Sequence, residues 1–242
     1  MIILNLGCGT RASSEPEFVN VDWSISLRLK KNPLLRFFAP LLVRGERLQA
    51  LRSLPSNIMV HNLAKGIPFE SNSVDFVYHS HLLEHLDREV ATTFLLEIKR
   101  VLKPGGIQRI VVPDLERACR AYISHLSLCE TSPDEASKHD AYIAAFLEQA
   151  VRKESAGTGQ QSPVRRRIEN AILGDARKRG ETHQWMYDHI NLQMLLSKLG
   201  YRNPLVQRFN TSLISNWSRY CLDEDKDGLE YKPESLYLEV SK

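Results

Sequence analysis

The chain has 242 residues, and its 32 basic and 29 acidic side chains leave a formal net charge of +3. Hydrophobic residues make up 43% and charged residues 25%, ordinary values for a globular protein that exclude a wholly disordered chain. No apolar run reaches the ~18–20 residues needed to cross a bilayer, and the net charge is too small to indicate a nucleic-acid partner by itself. The length suits one α/β domain with an insertion.

The four cysteines, Cys8, Cys119, Cys129 and Cys221, form no C-x-x-C pair and are too few for a disulfide framework. The first residues show neither the basic leader nor the small-residue cleavage site of a secretory signal. A reduced, cytoplasmic location is therefore expected.

Five short apolar runs predict the strands of a parallel sheet. These runs are Ile2–Leu6, Phe18–Asp22, Ile58–His61, Val74–Tyr78 and Ile107–Val112. Between the last two, apolar residues recur with helical spacing from Leu82 to Leu102. Because strand, helix and strand alternate there, we expect parallel pairing through crossover helices.

The second half of the chain is predicted to be helical at first and to end in two strands. The predicted elements are a helical stretch over Leu115–Gln149 broken near Pro133, a flexible connector at Ser155–Pro163, helices over Arg165–Arg179 and Asn191–Leu199, and strands at Val206–Phe209 and Ser235–Val240. We interpret residues 115–182 as a helical insertion within a single domain that spans residues 1–242.

Glycines follow the first predicted strand in Leu6-Gly7-Cys8-Gly9, where they allow a tight turn and close approach to a ligand. Plain turns and nicotinamide enzymes share this short pattern. Asp22 ends the next strand, beside the glycines, where a carboxylate can accept both hydroxyls of a ribose or merely cap the following segment. Its distance from the glycines is shorter than the ~20 residues typical of a dinucleotide fold, which disfavours the nicotinamide interpretation.

Five ordered segments resemble the class I S-adenosylmethionine-dependent methyltransferases, and among them the small bacterial type 11-like group. They are LNLGCGT, NVD, HNLAKGIPF, VDFVYHSHLLEHL and RVLKPGGIQRIVVPD, all within residues 2–114. The resemblance resumes at GETHQWMYD, at the helix that ends at Gly200 and at the last strand. It implies a Rossmann-like, seven-stranded, mostly parallel sheet with helices on both faces, and S-adenosyl-L-methionine as the cofactor.

The resemblance also implies roles for individual residues. The methionine part of the cofactor is expected to be wrapped by Leu6, Gly7, Cys8 and Gly9, and its end to be closed over by His79 and Ser80. The ribose hydroxyls are expected to bind Asp22. The adenine is expected to meet Asn62 and the backbone of Leu63. Two positions depart from the family pattern. Asn5 stands where many relatives have an acidic residue, which weakens the expected contact to the methionine amino group. Arg11 stands where a third glycine is frequent, which predicts a wider loop.

His81 and His85 are the candidates for catalytic residues, because imidazole suits proton transfer near neutral pH and a spacing of four places both on one helix face. Bracing of the helix start by Glu84 and His85 is the structural alternative. His183, Trp185 and Tyr187 are candidates for substrate contacts, since they precede the late helix near which acceptors enter related enzymes. No metal is expected, because His79, His81 and His85 lack a metalloprotease spacing and no cysteine cluster accompanies them.

The basic runs Arg165–Arg167 and Arg177–Arg179 could bind an anionic acceptor, but a solvated helix face is favoured. They lack interleaved aromatic residues, so no nucleic-acid partner is expected. The sequence therefore predicts a methyltransferase acting on an unidentified small-molecule acceptor, with a sugar or glycan precursor as one candidate. The alternative is a non-catalytic, cofactor-binding regulatory or scaffold protein with the same fold.

Overall fold

A computed structural model describes residues 1–24, 27, 57–149, 182–225 and 227–242. Its centre is a seven-stranded sheet with the order β3-β2-β1-β4-β5-β7-β6. The strands are β1 (Ile3–Leu6), β2 (Phe18–Asp22), β3 (Ile58–Val60), β4 (Val74–Ser80), β5 (Leu102–Pro113), β6 (Arg202–Gln207) and β7 (Ser235–Ser241). The first five strands pair in parallel, whereas β7 runs antiparallel to both of its neighbours. The predicted mostly parallel sheet is confirmed.

The described α-helices are α1 (Arg88–Val101), α2 (Leu115–Cys129), α3 (Pro133–Ala136), α4 (His139–Gln149) and α5 (His189–Lys198). Short 3₁₀ helices lie at Leu63–Lys65, Leu83–His85 and Trp217–Tyr220. The helix predicted from Leu82 begins only at Arg88, because the 3₁₀ turn precedes it. No helix within the described part of the chain is long and apolar enough to cross a membrane.

One face of the sheet is covered by α1 and α5. The buried residues of α1 recur every three or four positions, from Ala91 through Leu95 and Ile98 to Val101, and form one apolar stripe. Leu192 and Leu196 of α5 join the same cluster. This cluster is the main hydrophobic core of the described residues, and it holds the carboxyl ends of β1 and β4 in place.

On the other face, the described residues that cover the sheet belong to the segment that links β6 to β7. Its residues Ile214, Trp217, Tyr220 and Leu222 are buried against the strands. The β1–β2 crossover, residues 7–17, is fully described and contains no helix, although crossovers between parallel strands usually hold one. Residues 208–223 therefore cover part of the sheet face that a crossover helix would otherwise cover. We call these residues the cover segment.

A buried arginine attaches the cover segment to the sheet. Arg109 of β5 is fully buried, and it donates from Nε to Asp223 and from Nη1 to Glu239, both at 2.7 Å. Its remaining N–H groups reach the carbonyl oxygens of Thr211, Arg208 and Phe209. All donors of the guanidinium are thus used, as a buried charge requires.

Several sequence predictions fall outside the described residues. These are the connector at Ser155–Pro163, the helix over Arg165–Arg179 and both of its arginine runs. Of the expected insertion, residues 115–149 are described, and they form α2, α3 and α4 with the break near Pro133 where it was expected. The single-domain organisation with an insertion over residues 115–182 stays a prediction.

Candidate functional site

The glycine loop lies at the carboxyl ends of β1 and β2. Gly7 and Gly9 have positive φ values of 65° and 52°, which glycine adopts without strain. A Cβ added at Gly7 would stand 3.0 Å from methyl carbons of Leu82, whereas one added at Gly9 would meet no atom of the described residues within 4 Å. The loop is therefore packed on one side and open on the other, and the open side is where a ligand can approach.

Asp22 is fixed beside this loop by two backbone amides. Its Oδ2 accepts from Gly9 N–H at 2.9 Å, and its Oδ1 accepts from Ser24 N–H at 2.6 Å. Burial, together with the nearby Asp22 charge, raises the pKa of the Cys8 thiol to about 12, so Cys8 is a neutral group in the loop. The carboxylate keeps further lone pairs that can accept from hydroxyl groups.

The two departures from the family pattern are used for internal bracing. Asn5 is buried, and its Nδ2 donates to the carbonyl of Arg11 at 2.8 Å and to Asn20 Oδ1 at 3.1 Å. Arg11 extends away from the loop, donates to the carbonyl oxygens of Cys221 and Glu224, and stacks on Tyr231 at 3.9 Å. Arg11 therefore ties the glycine loop to the segment that precedes β7.

The expected adenine residues follow β3. Asn62 is partly exposed and begins the 3₁₀ helix there, since its Oδ1 accepts from Ala64 N–H at 3.0 Å. Leu63 is partly buried and packs against the main core. Because β3 pairs with β2 in parallel, both residues lie at the same sheet edge as Asp22.

His79 and Ser80 are the last two residues of β4, and their side chains differ in exposure. His79 is fully buried, meets the ring of Phe94 edge-on at 5.5 Å and has its Nε2 3.0 Å from Gln108 Nε2. Burial lowers the pKa of His79 to about 4, with the Glu84 charge opposing the shift, so the ring is neutral at pH 7. The His79 ring is enclosed in the interior, whereas the Ser80 side chain is partly exposed, and the expected contact of both residues with the cofactor stays a prediction.

A cluster of ionisable groups follows β4, and Glu84 is its centre. Glu84 is buried, and its Oε1 lies 3.3 Å from His81 Nδ1 and 3.8 Å from His85 Nε2. Burial alone would raise the pKa of Glu84, but the hydrogen bond and charge of His81 and the charge of His85 outweigh burial and lower it. The cluster therefore holds a carboxylate ion that both histidines face.

Residues far along the chain complete the cluster. His81 Nε2 lies 2.9 Å from Ser235 Oγ, and His85 Nδ1 lies 3.2 Å from the carbonyl of Thr182. Burial lowers the pKa of His85, and the nearby His183 charge lowers it further. His81 has a positive φ of 49°, a strained conformation for a non-glycine residue that is frequent at functional sites.

The three candidate substrate residues occupy different surroundings. His183 is partly exposed and packs edge-on against His85 at 4.8 Å. Trp185 lies under the guanidinium of Arg88 at 4.3 Å and packs against the core. Tyr187 is buried in the core, and burial followed by the Glu84 charge raises its pKa to about 12. Only His183 joins the ionisable cluster, and the burial of Tyr187 gives that residue a packing role.

Sequence reasoning did not find Ser235, Thr182 or Lys232. Lys232 is partly buried, and burial lowers its pKa while the nearby Glu84 opposes the shift. The link between Ser235 and His81 depends on β7 pairing with β5, which brings residue 235 beside Pro113. No local spacing in the sequence records such a contact.

Residues 41–110 match the family described as a methyltransferase domain. The sheet order, the glycine loop and the acidic residue that ends β2 agree with this match. Together these observations support the class I S-adenosylmethionine-dependent methyltransferase that the sequence predicts.

Similar proteins include a demethylmenaquinone methyltransferase of Geobacillus stearothermophilus, which is 32% identical over 109 residues, or 43% of this chain and 42% of that protein. The chain thus spans less than half the length of this curated relative. Two solved methyltransferase structures are also similar. The one from Methanosarcina mazei is 16% identical, covers 99% of this chain and 91% of that chain, and has a TM-score of 0.44. The one from Mesorhizobium loti is 13% identical, covers 100% of this chain and 90% of that chain, and has a TM-score of 0.44. Because both TM-scores are below 0.5, the assignment of the fold depends on the observed strand order of the sheet and not on these structures.

The cofactor of this methyltransferase family is S-adenosyl-L-methionine, and the residues present fit it. The open space at Gly9 leaves room for a ligand against the backbone. The Asp22 carboxylate beside it is a suitable acceptor for the two hydroxyls of a ribose. The neutral Cys8 thiol adds no competing charge there.

Proposed function

We propose that this methyltransferase domain is catalytically active and transfers the methyl group of S-adenosyl-L-methionine to a small-molecule acceptor. The main support is the Gly9–Asp22 contact, in which a glycine backbone lies beside a carboxylate that can accept the hydroxyls of a ribose. When bound, the cofactor supplies an electrophilic methyl group on a sulfonium ion. The protein then needs chiefly to align the acceptor, and positioning of this kind contributes ~7–11 kcal/mol.

The hydrogen bonds of the ionisable cluster favour His85 over His81 as the general base. Ser235 Oγ donates to the carbonyl of Lys232 at 2.8 Å, so it can only accept from His81 Nε2. His81 Nδ1 lies 3.3 Å from Glu84 Oε1, so each ring nitrogen of His81 faces an oxygen of the protein. His81 consequently offers a substrate no ring nitrogen that is free of a close protein contact.

His85 has the opposite arrangement. The carbonyl of Thr182 can only accept, so Nδ1 of His85 keeps its proton. Nε2 of His85 lies 3.8 Å from Glu84 Oε1, too far for a hydrogen bond, and the lowered pKa of His85 leaves this nitrogen unprotonated at neutral pH. A base is required for a hydroxyl or protonated amine acceptor and not for a carboxylate. This arrangement supports a hydroxyl acceptor, such as that of a sugar or glycan precursor.

The cofactor site is tested by calorimetric titration with S-adenosylhomocysteine. We expect saturable binding that the Asp22→Ala substitution weakens at least tenfold, because the ribose hydroxyls lose their acceptor. Asp140→Ala removes an exposed aspartate from α4 and serves as the matched control, with affinity unchanged. Absence of binding by the unaltered protein would refute the proposed function, and unchanged affinity in Asp22→Ala would remove Asp22 from the site.

The acceptor is identified by incubating the protein with radiolabelled cofactor and fractionated lysate. Label in a polar, sugar-containing fraction supports the proposed acceptor. Label in a lipid fraction supports a quinone, the acceptor class that the name of the Geobacillus relative suggests, and label in nucleic acid contradicts a small-molecule acceptor. Cofactor binding without transfer to any fraction supports the non-catalytic regulatory or scaffold alternative. A cytoplasmic location stays a prediction, and the four cysteines are free thiols as it requires.

A further inference from the structure

Two helices outside the cofactor site bring two histidines and a cysteine together. His125 and Cys129 stand four residues apart on one face of α2, and His139 is the first residue of α4. His125 Nδ1 lies 2.9 Å from His139 Nδ1 and 3.4 Å from Cys129 Sγ. All three candidate donor atoms lie within 4.8 Å of one another. His125 is buried, and the other two residues are partly buried.

Two of these separations are close to those between the ligand atoms of a tetrahedral metal centre. With metal–nitrogen and metal–sulfur bonds of about 2.0 and 2.3 Å, neighbouring ligand atoms are about 3.3–3.6 Å apart. The observed distances of 2.9 and 3.4 Å are close to these values, so small side-chain movements would admit an ion. Two imidazoles and one thiolate form a donor set that suits Zn²⁺ better than the hard ions Mg²⁺ and Ca²⁺.

A carboxylate supports the central histidine from behind. Nε2 of His125 is buried without a hydrogen bond and lies 3.5 Å from Glu135 Oε2. Glu135 is itself held by Lys138, whose Nζ is 2.6 Å from Glu135 Oε1. Histidine ligands of metals usually donate their second ring N–H to such a carboxylate, which fixes the tautomer and orients the ring. Nδ1 of His125 is thereby left to face the other two donors.

We propose that His125, Cys129 and His139 bind one Zn²⁺ ion that joins α2 to α4, with solvent completing the coordination. Binding releases the proton of the Cys129 thiol to solvent, so affinity rises with pH. This site is separate from methyl transfer, and it departs from the expectation that no metal is bound. The H-x-x-x-C spacing on one helix face was its only local signal, because His139 approaches only when α4 folds back on α2.

A direct test uses the full chain, stripped of metal by a chelator, and Co²⁺ as a spectroscopic probe. We expect one equivalent of Co²⁺ to give the visible bands of a tetrahedral centre and a thiolate-to-metal band in the near ultraviolet. Zn²⁺ should displace Co²⁺ and raise the melting temperature, because an ion bound only by the folded state stabilises it. Cys129→Ser should abolish the thiolate band, whereas Cys119→Ser, a control on the same helix, should keep it.

Two further variants keep the test decisive if Cys129→Ser folds poorly. His139→Gln should weaken Co²⁺ binding at least tenfold, and Glu135→Gln, which alters only the supporting carboxylate, should weaken it about 10–100-fold. His189→Gln, on α5, should bind as the unaltered protein does. The proposal would be overturned by a spectrum of the unaltered protein without a thiolate band, or by Co²⁺ binding that is unchanged in Cys129→Ser and His139→Gln. The two imidazoles would then share only a hydrogen bond.

Discussion

Single side chains near the site are distinguished by the partners that each one meets. His81 and His85 both face Glu84, yet only His85 has a main-chain acceptor on its other nitrogen. The amino-acid sequence identified both histidines as catalytic candidates and could not choose between them. The choice depends on Thr182 and Ser235, which reach the cluster only through the tertiary fold.

Substitution of His85 is expected to change the pH dependence of methyl transfer. In the unaltered protein, kcat/KM should fall as the pH drops below the lowered pKa of His85, because the protonated ring cannot accept a proton. His85→Gln should reduce kcat about 10²–10⁴-fold and remove this acidic decline. His81→Gln should reduce the rate less and keep the decline.

The measurement is the initial rate of methyl transfer to the acceptor found by labelling. It is taken over a pH range of ~5–9, which spans the ordinary pKa of histidine. A decline that persists unchanged in His85→Gln would assign it to another group. Circular dichroism of both variants separates a lost base from a lost fold.

At the scale of elements, the cover segment is the feature that the sequence did not reveal. Short apolar runs predicted the strands because each run is local, and the glycine loop and Asp22 follow from strand order in the same way. The cover segment depends instead on the ion pairs of Arg109 with Asp223 and Glu239. Each of these pairs joins residues that are more than one hundred positions apart in the sequence. Sequence periodicity carries no information about such distant partners.

Replacing Arg109 should therefore loosen the cover segment and destabilise the protein. Arg109→Met leaves the buried carboxylates of Asp223 and Glu239 without their cation, which should lower the free energy of unfolding by about 3–5 kcal/mol. Arg202→Met removes an exposed arginine from β6, and as a control it should change this free energy by less than about 0.5 kcal/mol. Urea unfolding measures both.

Hydrogen exchange locates the effect of Arg109→Met. Amides of residues 208–223 should lose protection first, since the arginine holds three of their carbonyl oxygens. Equal loss of protection across the whole sheet would show that the arginine supports the core in general and not this segment.

At the scale of the whole molecule, a buried neutral histidine makes stability depend on pH. In the unfolded chain His79 binds a proton near pH ~6.5, whereas burial holds its pKa at about 4 in the folded protein. The unfolded state therefore binds more protons between these values, and the folded protein loses stability as the pH falls through that range. His79 alone accounts for a loss of about 2 kcal/mol by pH ~4.5.

This loss is measured by urea unfolding of the unaltered protein and of His79→Gln at neutral and acidic pH. The difference in unfolding free energy between the two should shrink by about 2 kcal/mol on acidification, because the variant has no ring to protonate. A difference that stays constant would contradict the buried, neutral state of His79.

The position of β7 has a consequence for synthesis. It is the last strand in chain order, yet it lies between β5 and β6. While a ribosome is still translating this region, the nascent chain displays two unpaired strand edges at once, and such edges recruit other chains. Chaperone demand should thus be highest before β7 is synthesised, and a premature stop codon before Ser235 should yield an aggregating product.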